Sequence, residues 1–408
     1  MSKFRWIIAG DIINSKNIDD RENIQNKLEN TLSGLNKKFA DNTVNGFNIT
    51  LGDEFIGIIN EPAILMEIIL TIIFHLKEIN IRFGLSIINN LNEKEKGIKK
   101  VKQAIEVAKE NNYPVYFNTV NIVQNQYMTF ISLSLFLMVY HFQQLSKKQK
   151  VILYYLLKNK KQIEIAEQLK ISQAAVSQAV KKINWKLLKK LYQKFKFLNQ
   201  DHKKSSDHDD EYLALVGQWE LREISKVKIE KLLDEINQKF QNSIAAKFVL
   251  TVPVENKGHE LQGLMNKKNH WFDIIFELFI KIKSLILGLG SGSLTTEKKK
   301  LALGMDGPVF YHARTALNEA NKEKWQLKYK EDNKFISEYA AIILLLLLNF
   351  IKQWTEKQIE TVILKRKDLT QREVAERLKI SRTAVTNRLA RADWKAFSYI
   401  EKQVDLII

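Results

Sequence analysis

The segment Glu164–Trp185, EIAEQLKISQAAVSQAVKKINW, returns without gaps at Glu373–Trp394 as EVAERLKISRTAVTNRLARADW. Ten of the 22 aligned residues are identical. Further upstream, IIAGDII around Gly10 matches ALVGQWE around Gly217 at nearly the same offset. A repeat of this length predicts that the chain holds two copies of one structural unit.

Each copy begins with a series of strand and helix patterns. In copy one the apolar spacing predicts a strand, a helix, two strands around a Gly-Asp turn, a second helix and a further strand. The segments are Trp6–Ile13, Ile18–Phe39, Phe47–Leu51, Phe55–Ile59, Ala63–Leu76 and Ile81–Ile88. This βαββαβ order predicts an α+β fold with a ferredoxin-like sheet that carries its helices on one face.

The repeated segment at the end of each copy predicts a separate all-α helix-turn-helix domain. We therefore expect domains at 1–125 and 126–198 in copy one, and at 212–335 and 336–408 in copy two. The stretch 199–211, which contains QDHKKSSDHDDE, is polar and has no hydrophobic periodicity. It is predicted to be the linker between the copies.

The chain is strongly basic. Its 408 residues include 64 Lys and Arg against 46 Asp and Glu, which gives a formal net charge of +18. Such an excess favours an anionic partner, first nucleic acid and second a membrane surface, although a general enrichment in Lys is an alternative explanation. Because the sequence contains no Cys, disulfides, thiol catalysis and cysteine-ligated metal sites are excluded.

Two apolar stretches, Met128–Phe142 and Tyr339–Phe350, are shorter than the roughly 20 residues that a membrane span needs. We interpret them as buried or interface helices. The N-terminal residues lack the long apolar run of a signal sequence and include Asp11. A cytoplasmic protein without a membrane span is therefore expected.

Two carboxylates lie at the ends of strands that the predicted sheet makes neighbours. Asp11 ends the first strand, and Asp53 lies in the turn before the third. Paired carboxylates suit Mg²⁺ or Mn²⁺ together with substrate phosphates, and the adjoining Gly10 and Gly52 would let a phosphate approach the backbone. The alternative is an ordinary Gly-Asp turn, with Asp11 as a helix cap.

Four segments resemble the SatD family: GDIINSK at Gly10–Lys16, TLGDEFIG at Thr50–Gly57, IRFGLSI at Ile81–Ile87 and GMDGPVFYHARTAL at Gly304–Leu317. A helix-turn-helix follows the last of them. The same segments are more distantly similar to class III nucleotidyl cyclases, a palm-type domain. That similarity implies Asp11 and Asp53 as catalytic, metal-binding residues.

The similarity also implies nucleotide contacts. PVFYHAR at Pro308–Arg314 is similar to a cyclase segment in which an Asn and an Arg steady the triphosphate and ribose; here Phe310 stands at the Asn. The diguanylate cyclase signature is matched only over Leu51–Phe55. Without the Asn, part of the charge stabilisation that a cyclase needs is absent. The implied nucleotide-binding residues are Gly10, Gly52, Glu54 and Arg314.

The two copies differ in the residues that this site requires. Copy two has Gln218 and His259 where copy one has Asp11 and Asp53, and copy one lacks the segment that contains Arg314. Cyclase-type sites form between two such domains. The resemblance therefore implies an intramolecular pseudo-dimer with one composite site, in which Asp11 and Asp53 face Arg314, and one inactive site. A homodimer of the chain is also compatible with the sequence.

The helix-turn-helix segments carry capping signals and a polar face. In copy two, Thr370 and Glu373 form a predicted capping box, and Ser381 caps the next helix, which buries Ala384, Val385 and Leu389. The opposite face holds Arg382, Thr383, Thr386, Asn387, Arg388 and Arg391. Copy one has Gln173, Ser177, Gln178, Lys181 and Lys182 on the same face, with Ser172 as the cap. Such side chains bind base edges and phosphates in a major groove, so double-stranded DNA is the expected partner. A three-helix bundle with a solvated face is the alternative.

These observations favour a DNA-binding regulator whose cyclase-like module binds a nucleoside triphosphate, or a related nucleotide, with Mg²⁺ or Mn²⁺. The second hypothesis is an active nucleotidyl cyclase or oligonucleotide synthase that uses two-metal phosphoryl transfer. The third is a non-catalytic dimerisation scaffold.

Overall fold

The first unit is built around a five-stranded mixed sheet. Its strands are β1 (Arg5–Ile12), β2 (Thr43–Leu51), β3 (Glu54–Ile59), β4 (Ile81–Ile88) and β5 (Val115–Phe117). In the computed structural model they lie in the order β2-β3-β1-β4-β5, with β5 parallel to β4 and the other neighbours antiparallel. The predicted α+β class is confirmed, and β5 is a strand that the sequence pattern did not predict.

The structure describes residues 4–118, 126–196, 212–220, 224–251, 260–267, 271–404 and 406–408. The chain divides into two compact units, Met1–His202 and Lys203–Ile408. The predicted linker at 199–211 and the predicted hairpin residue His259 lie outside the described residues.

Helices cover both faces of the first sheet. They are α1 (Arg21–Lys38), α2 (Leu65–His75) and α3 (Lys94–Asn111). α3 packs through Ile105 on the face that carries Ile7 and Ala9, while Trp6, on the opposite face, is 1% exposed. The expectation that the helices lie on one face was therefore wrong, because the Lys-rich segment before β5 forms a helix whose apolar side closes the second face.

Among the described residues of this unit, five helices follow the first sheet: α4 (Gln126–Gln144), α5 (Lys147–Leu157), α6 (Gln162–Leu169), α7 (Gln173–Lys182) and α8 (Trp185–Lys196). Phe74 at the end of α2 joins them to the sheet domain, since its ring centroid lies 5.0 Å from those of Phe142 on α4 and Tyr154 on α5. Within this unit, the helical domain therefore packs directly against the sheet domain.

The second unit repeats this order of elements. Its strands are β6 (Tyr212–Gln218), β7 (Ile244–Thr251), β8 (Glu260–Asn266), β9 (Ile286–Gly292) and β10 (Leu327–Lys330), which form a sheet in the order β10-β9-β6-β8-β7. The sheet domain also contains α9 (Lys226–Lys239), α10 (Trp271–Lys281) and α11 (Pro308–Glu323). The helical domain consists of α12 (Lys334–Gln353), α13 (Glu356–Lys365), α14 (Gln371–Leu378), α15 (Arg382–Arg391) and α16 (Trp394–Val404).

The two units share details that the sequence alignment did not reveal. The Asn36 side-chain amide accepts from the backbone N–H of Phe47 at 2.6 Å and donates to its carbonyl at 2.9 Å. In the second unit Asn237 makes the same pair of bonds to Phe248, at 2.8 and 2.9 Å. Each pair fastens the first helix of its sheet domain to the second strand, so the duplication extends to these contacts.

α12 is, among the described residues, the helix whose length and hydropathy would allow it to cross a membrane. It spans 20 residues, and 72% of its most apolar window is buried within the protein. The predicted apolar stretch, Tyr339–Phe350, was shorter because the more polar residues at both ends continue the helix. Its burial is that of a core helix.

Candidate functional site

Asp11 lies near the end of β1, between Glu54 on β3 and Arg82 on β4 in the sheet register. The residue is 7% exposed. Its Oδ2 atom lies 3.5 Å from Nη1 of Arg82 and 3.8 Å from Nζ of Lys109, near the end of α3. Two cations, one from the sheet and one from the helix above it, therefore approach the same carboxylate oxygen.

Asp53 lies half-buried in the turn between β2 and β3. Burial raises the pKa of the Asp11 carboxyl above its usual value; Lys109 and Arg82 oppose this shift, whereas the negative charges of Asp53 and Glu54 add to it. The structure thus brings Asp53 within electrostatic range of Asp11. The role of this pair as metal ligands stays a prediction.

Sequence reasoning missed three cations around this pair. Arg82 lies opposite Asp11 across the β1–β4 pairing, and Lys109 reaches it from α3. Arg21 begins α1, and its Nη2 atom lies 3.5 Å from the position that a Cβ on Gly52 would occupy. The strand register could have shown that Arg82 lies opposite Asp11. Lys109 is one of several lysines on its helix, and nothing in the sequence marks it as the one that reaches Asp11.

The two predicted phosphate-approach glycines have different surroundings. A Cβ on Gly10 would lie 2.1 Å from Cζ of Phe55, so Gly10 is required by the packing of this ring. Gly52 is exposed and has a left-handed φ of 57°, and of the residues that the structure describes a Cβ there would meet only Arg21 within 4 Å. Gly10 therefore has a packing explanation that the sequence did not suggest. The nucleotide-binding roles of Gly10, Gly52 and Glu54 stay predictions.

The corresponding place in the second unit holds a closed hydrogen-bond network. Gln218, which replaces Asp11, donates from Nε2 to Oε1 of Glu260 at 2.7 Å. Asn321 on α11 donates to Oε1 of Gln218 at 3.0 Å. In this unit the Gln218 amide and the Glu260 carboxylate therefore hydrogen-bond each other, whereas the first unit has the carboxylates of Asp11 and Glu54 at these two places.

Arg314 belongs to the same network. Its Nη2 donates to Oε1 of Gln262 at 2.8 Å, and its Nη1 lies 3.5 Å from Oε2 of Glu260. Phe310, which the cyclase resemblance would align with an Asn, is 3% exposed and packs in the core of the sheet domain with Val216. Arg314 is thus engaged on its own sheet, and its contact with a nucleotide stays a prediction.

The helix-turn-helix of the second unit has the predicted caps. The Thr370 hydroxyl accepts from the N–H of Glu373 at 3.3 Å, and the Glu373 carboxylate accepts from the N–H of Thr370 at 2.7 Å, which confirms the capping box. Lys379 ends α14 with a left-handed φ of 53°. The Ser381 hydroxyl then accepts from the N–H of Ala384 at 3.1 Å and begins α15. Ala384 is half-buried rather than buried.

The polar face of α15 is largely open to solvent. Its exposed residues are Arg382, Thr383, Thr386, Asn387 and Arg391. Arg388 is half-buried, and its Nη1 lies 3.3 Å from the Thr361 hydroxyl and 3.4 Å from the Lys357 carbonyl, both of which accept from it. Arg388 therefore holds α15 on α13 and is the least suited of the six residues to reach a nucleic acid.

The first unit presents a similar face on α7. The Ser172 hydroxyl accepts from the N–H of Ala175 at 3.2 Å, and Lys170 precedes it with a left-handed φ of 51°. Ser177 is half-buried. The exposed residues are Ser172, Gln173, Gln178, Lys181 and Lys182. Both helices thus offer polar and basic side chains, with Lys and Gln in the first unit and mainly Arg, Thr and Asn in the second.

Comparison with protein families gives a match to the SatD family over residues 6–109 and 212–407. The chain belongs to the SatD family. The first matched region covers most of the first sheet domain, and the second covers both domains of the second unit. The match therefore supports a tandem duplication of the SatD unit. No curated protein matches the chain.

The oxygen donors of this SatD protein at the end of β1 suit a hard cation. In the described ranges, no group of three or more His, Asp or Glu side chains is arranged to hold a metal ion. Asp11 and Asp53 repel each other, and one Mg²⁺ or Mn²⁺ with further ligands from water and phosphate would relieve that repulsion. Lys109, whose side chain is 35% exposed, lies beside the Asp11 carboxylate.

Proposed function

We propose that this SatD protein is a DNA-binding regulator whose first sheet domain binds a nucleotide together with Mg²⁺ or Mn²⁺. The observation that carries the proposal is the polar face of α15. Its helix is fixed at its start by Ser381 and on its inner side by buried Val385 and Leu389, while Arg382, Asn387 and Arg391 project outward. A rigid helix with a free basic face is what docking in a major groove requires.

Each part of that face has a role in DNA binding. Asn387 can pair with adenine, and Arg382 can pair with guanine or with a phosphate. Arg391, at the end of α15, would contact the phosphate backbone. α7 would supply a second, weaker contact through Gln178 and Lys181. The net charge of +18 would add non-specific attraction to the duplex.

The nucleotide half of the proposal rests on the first sheet. The order β2-β3-β1-β4 is that of a ferredoxin-like sheet, and this supports a palm-type or cyclase-like domain. Asp11 and Asp53 would hold the cation, which when bound would neutralise phosphate charge. Arg21 and Lys109 would then contact phosphate oxygens, and Arg82 would keep Asp11 oriented.

The retained carboxylate pair favours a second candidate, an active nucleotidyl cyclase or oligonucleotide synthase. An efficient enzyme of this kind also needs a donor that stabilises charge on the reacting phosphorus. The buried ring of Phe310 supplies no such donor. Binding and sensing of a nucleotide therefore suit these residues better than turnover.

One experiment separates these functions. The whole protein is incubated with each nucleoside triphosphate and Mn²⁺, with and without duplex DNA, while nucleotide turnover and DNA affinity are followed together. The regulator predicts that DNA affinity changes with nucleotide and that no product forms. Product formation would favour the enzyme. An affinity for DNA that no nucleotide alters would leave the sheet domain as a dimerisation scaffold.

A further inference from the structure

A cleft of 380 Å³ lies in the first unit where α1, α2 and α5 meet. Its volume is within the range of small-molecule sites. The cleft is separate from Asp11 and Asp53, which do not line it. Because α2 belongs to the sheet domain and α5 to the helical domain, a molecule in the cleft would touch both. Its lining includes Lys27, Phe74, His75, Lys150, Tyr154 and Tyr155.

Lys150 is the most buried cation of this cleft. It is 7% exposed, and its Nζ lies over the ring of Phe142, 5.0 Å from the centroid. In the described part of the chain, no carboxylate lies within ion-pair distance of this amine. Burial accordingly lowers the pKa of the Lys150 amine. A desolvated ammonium of this kind gains from an anion placed beside it.

Further positive charge surrounds the opening. Lys77 is exposed at the edge of the cleft. Lys27 lies nearby, 3.7 Å from the Glu78 carboxylate, so only part of its charge is offset. Three lysines against one glutamate favour an anionic ligand.

The wall of the cleft is aromatic. The ring of Tyr154 lies 5.0 Å from that of Phe74 and 5.6 Å from that of Tyr155. Both tyrosines are half-buried and line the cleft. Aromatic rings of this kind stack on a flat ligand ring, and such stacking tolerates different bases.

The second unit does not repeat these residues. Ser146 and Thr355 cap the corresponding helices α5 and α13, each with a capping box. Counting from these caps, Ile359, Ile363 and Leu364 stand where the first unit has Lys150, Tyr154 and Tyr155. The fold of the unit therefore does not require a cation or tyrosines at these positions.

We propose that the cleft binds a nucleoside monophosphate, with the phosphate on Lys150 and the base against Tyr154 and Tyr155. Of the lysines that line the cleft, only Lys150 is buried, which suits one phosphate group rather than three. The bound ligand would brace α2 against α5. This site needs no divalent cation and stands independently of the function proposed above.

Calorimetric titration of the full chain in EDTA tests this proposal, with AMP, inorganic phosphate and adenosine as probes. AMP is expected to bind, and each of the other probes about tenfold more weakly, because each lacks one half of the contacts. Lys150→Ile and Tyr154→Ile, which introduce the residues of the second unit, should each weaken AMP binding about tenfold. Lys148→Met removes an exposed charge from the same helix outside the cleft and should leave binding unchanged.

Three results would overturn the proposal. They are no saturable AMP binding by the wild-type chain, equal binding by wild type and Lys150→Ile, and equal affinity for AMP and phosphate. Circular dichroism of the Ile variants confirms that they fold. The double variant Asp11→Asn with Asp53→Asn distinguishes the cleft from the proposed cation site. If it still binds AMP, the cleft holds the ligand. If it no longer binds AMP, the result counts against the cleft.

Discussion

Nζ of Lys109 lies 3.8 Å from Oδ2 of Asp11. Lys109 stands three residues before the left-handed C-cap of α3, and Asn321 holds the same place before the C-cap of α11. In the second unit Asn321 bonds Gln218, the counterpart of Asp11. Helices α3 and α11, which cover the second face of their sheets, thus each place a polar side chain on the last residues of the central strand, β1 or β6.

This relationship predicts the effect of Lys109→Asn on metal binding. Because Lys109 and a divalent cation would compete for Asp11, removing the ammonium should tighten Mn²⁺ binding. The affinity for Mn²⁺ is expected to rise about fivefold, which corresponds to the free energy of one partly exposed ion pair. Titration of free Mn²⁺ by electron paramagnetic resonance measures it.

Lys102→Asn is the matched control, since Lys102 is exposed on the same helix and forms no ion pair with Asp11. An equal gain in both variants would show a general charge effect. No gain in Lys109→Asn would contradict a cation site at Asp11.

The second prediction concerns the exposed arginines of α15. Arg382→Ala together with Arg391→Ala should weaken duplex binding and flatten its dependence on salt. For every phosphate that the protein no longer neutralises, the slope of log K against log salt becomes shallower by about 0.9. Fluorescence anisotropy with a labelled duplex at several salt concentrations gives both quantities.

Lys298→Ala with Lys300→Ala removes the same charge from an exposed segment of the second unit outside α15. This control should change affinity and slope less. Arg388 is left intact, because its bond to Thr361 would confound weaker binding with weaker packing. If the two double variants behave alike, docking through α15 is wrong.

The third prediction concerns Arg366, which joins the two domains of the second unit. Its Nη2 lies 2.5 Å from Oδ1 of Asp273 on α10, its Nε donates to Glu401 on α16 at 2.9 Å, and its guanidinium lies 4.0 Å from the ring centroid of Phe276. Arg366→Leu should lower the free energy of unfolding by about 3 kcal/mol, because it removes a guanidinium that pairs with two partly buried carboxylates.

Urea unfolding followed by circular dichroism measures this decrease. Leu157 stands at the corresponding position of the first unit, so Arg366→Leu introduces the residue that the first unit carries there. A double-mutant cycle with Glu401→Gln should give a coupling energy of about 1 kcal/mol or more. If the effects of Arg366→Leu and Glu401→Gln on the free energy of unfolding are additive, the two side chains are not energetically coupled.

The fourth prediction concerns pH. Burial lowers the pKa of the His141 imidazole on α4, against a smaller opposing effect of its hydrogen bond to the Ile183 backbone. The unfolded chain then binds a proton more readily than the folded one. The stabilisation is complete above the unfolded pKa of about 6.5 and is lost as pH falls below it.

His141→Phe, which introduces the Phe350 of the second unit, should remove this dependence. The urea midpoint of the whole chain is measured at about pH 7.5 and about pH 5.5, on either side of the ordinary histidine pKa. The wild type should lose more stability than the variant between them. Equal losses would mean that His141 is not the titrating group.

The sequence predicted the features that repeat or that have local signals. The offset between the copies, the alternation of strands such as Ile81–Ile88, and the Thr370–Glu373 capping box all follow from short-range patterns. The predicted strand order also placed Asp11 and Asp53 at the ends of neighbouring strands.

The remaining features depend on contacts between distant segments. Nothing local shows that Phe55 fills the space over Gly10, or that Lys109 is the lysine of α3 that reaches Asp11. Helix α3 was missed as a cover for the sheet because its many lysines obscure the apolar face of Val101 and Ile105. These contacts depend on how the side chains are buried and on the register of the strands, which short-range sequence patterns do not show.

The most direct test of nucleotide-responsive DNA binding is the affinity of the whole chain for a mixed-sequence duplex, measured by anisotropy with and without nucleoside triphosphate and Mn²⁺. The ligands are expected to change the affinity of the wild type severalfold and to leave that of Asp11→Asn with Asp53→Asn unchanged. An affinity that responds equally in both proteins, or in neither, would contradict this function.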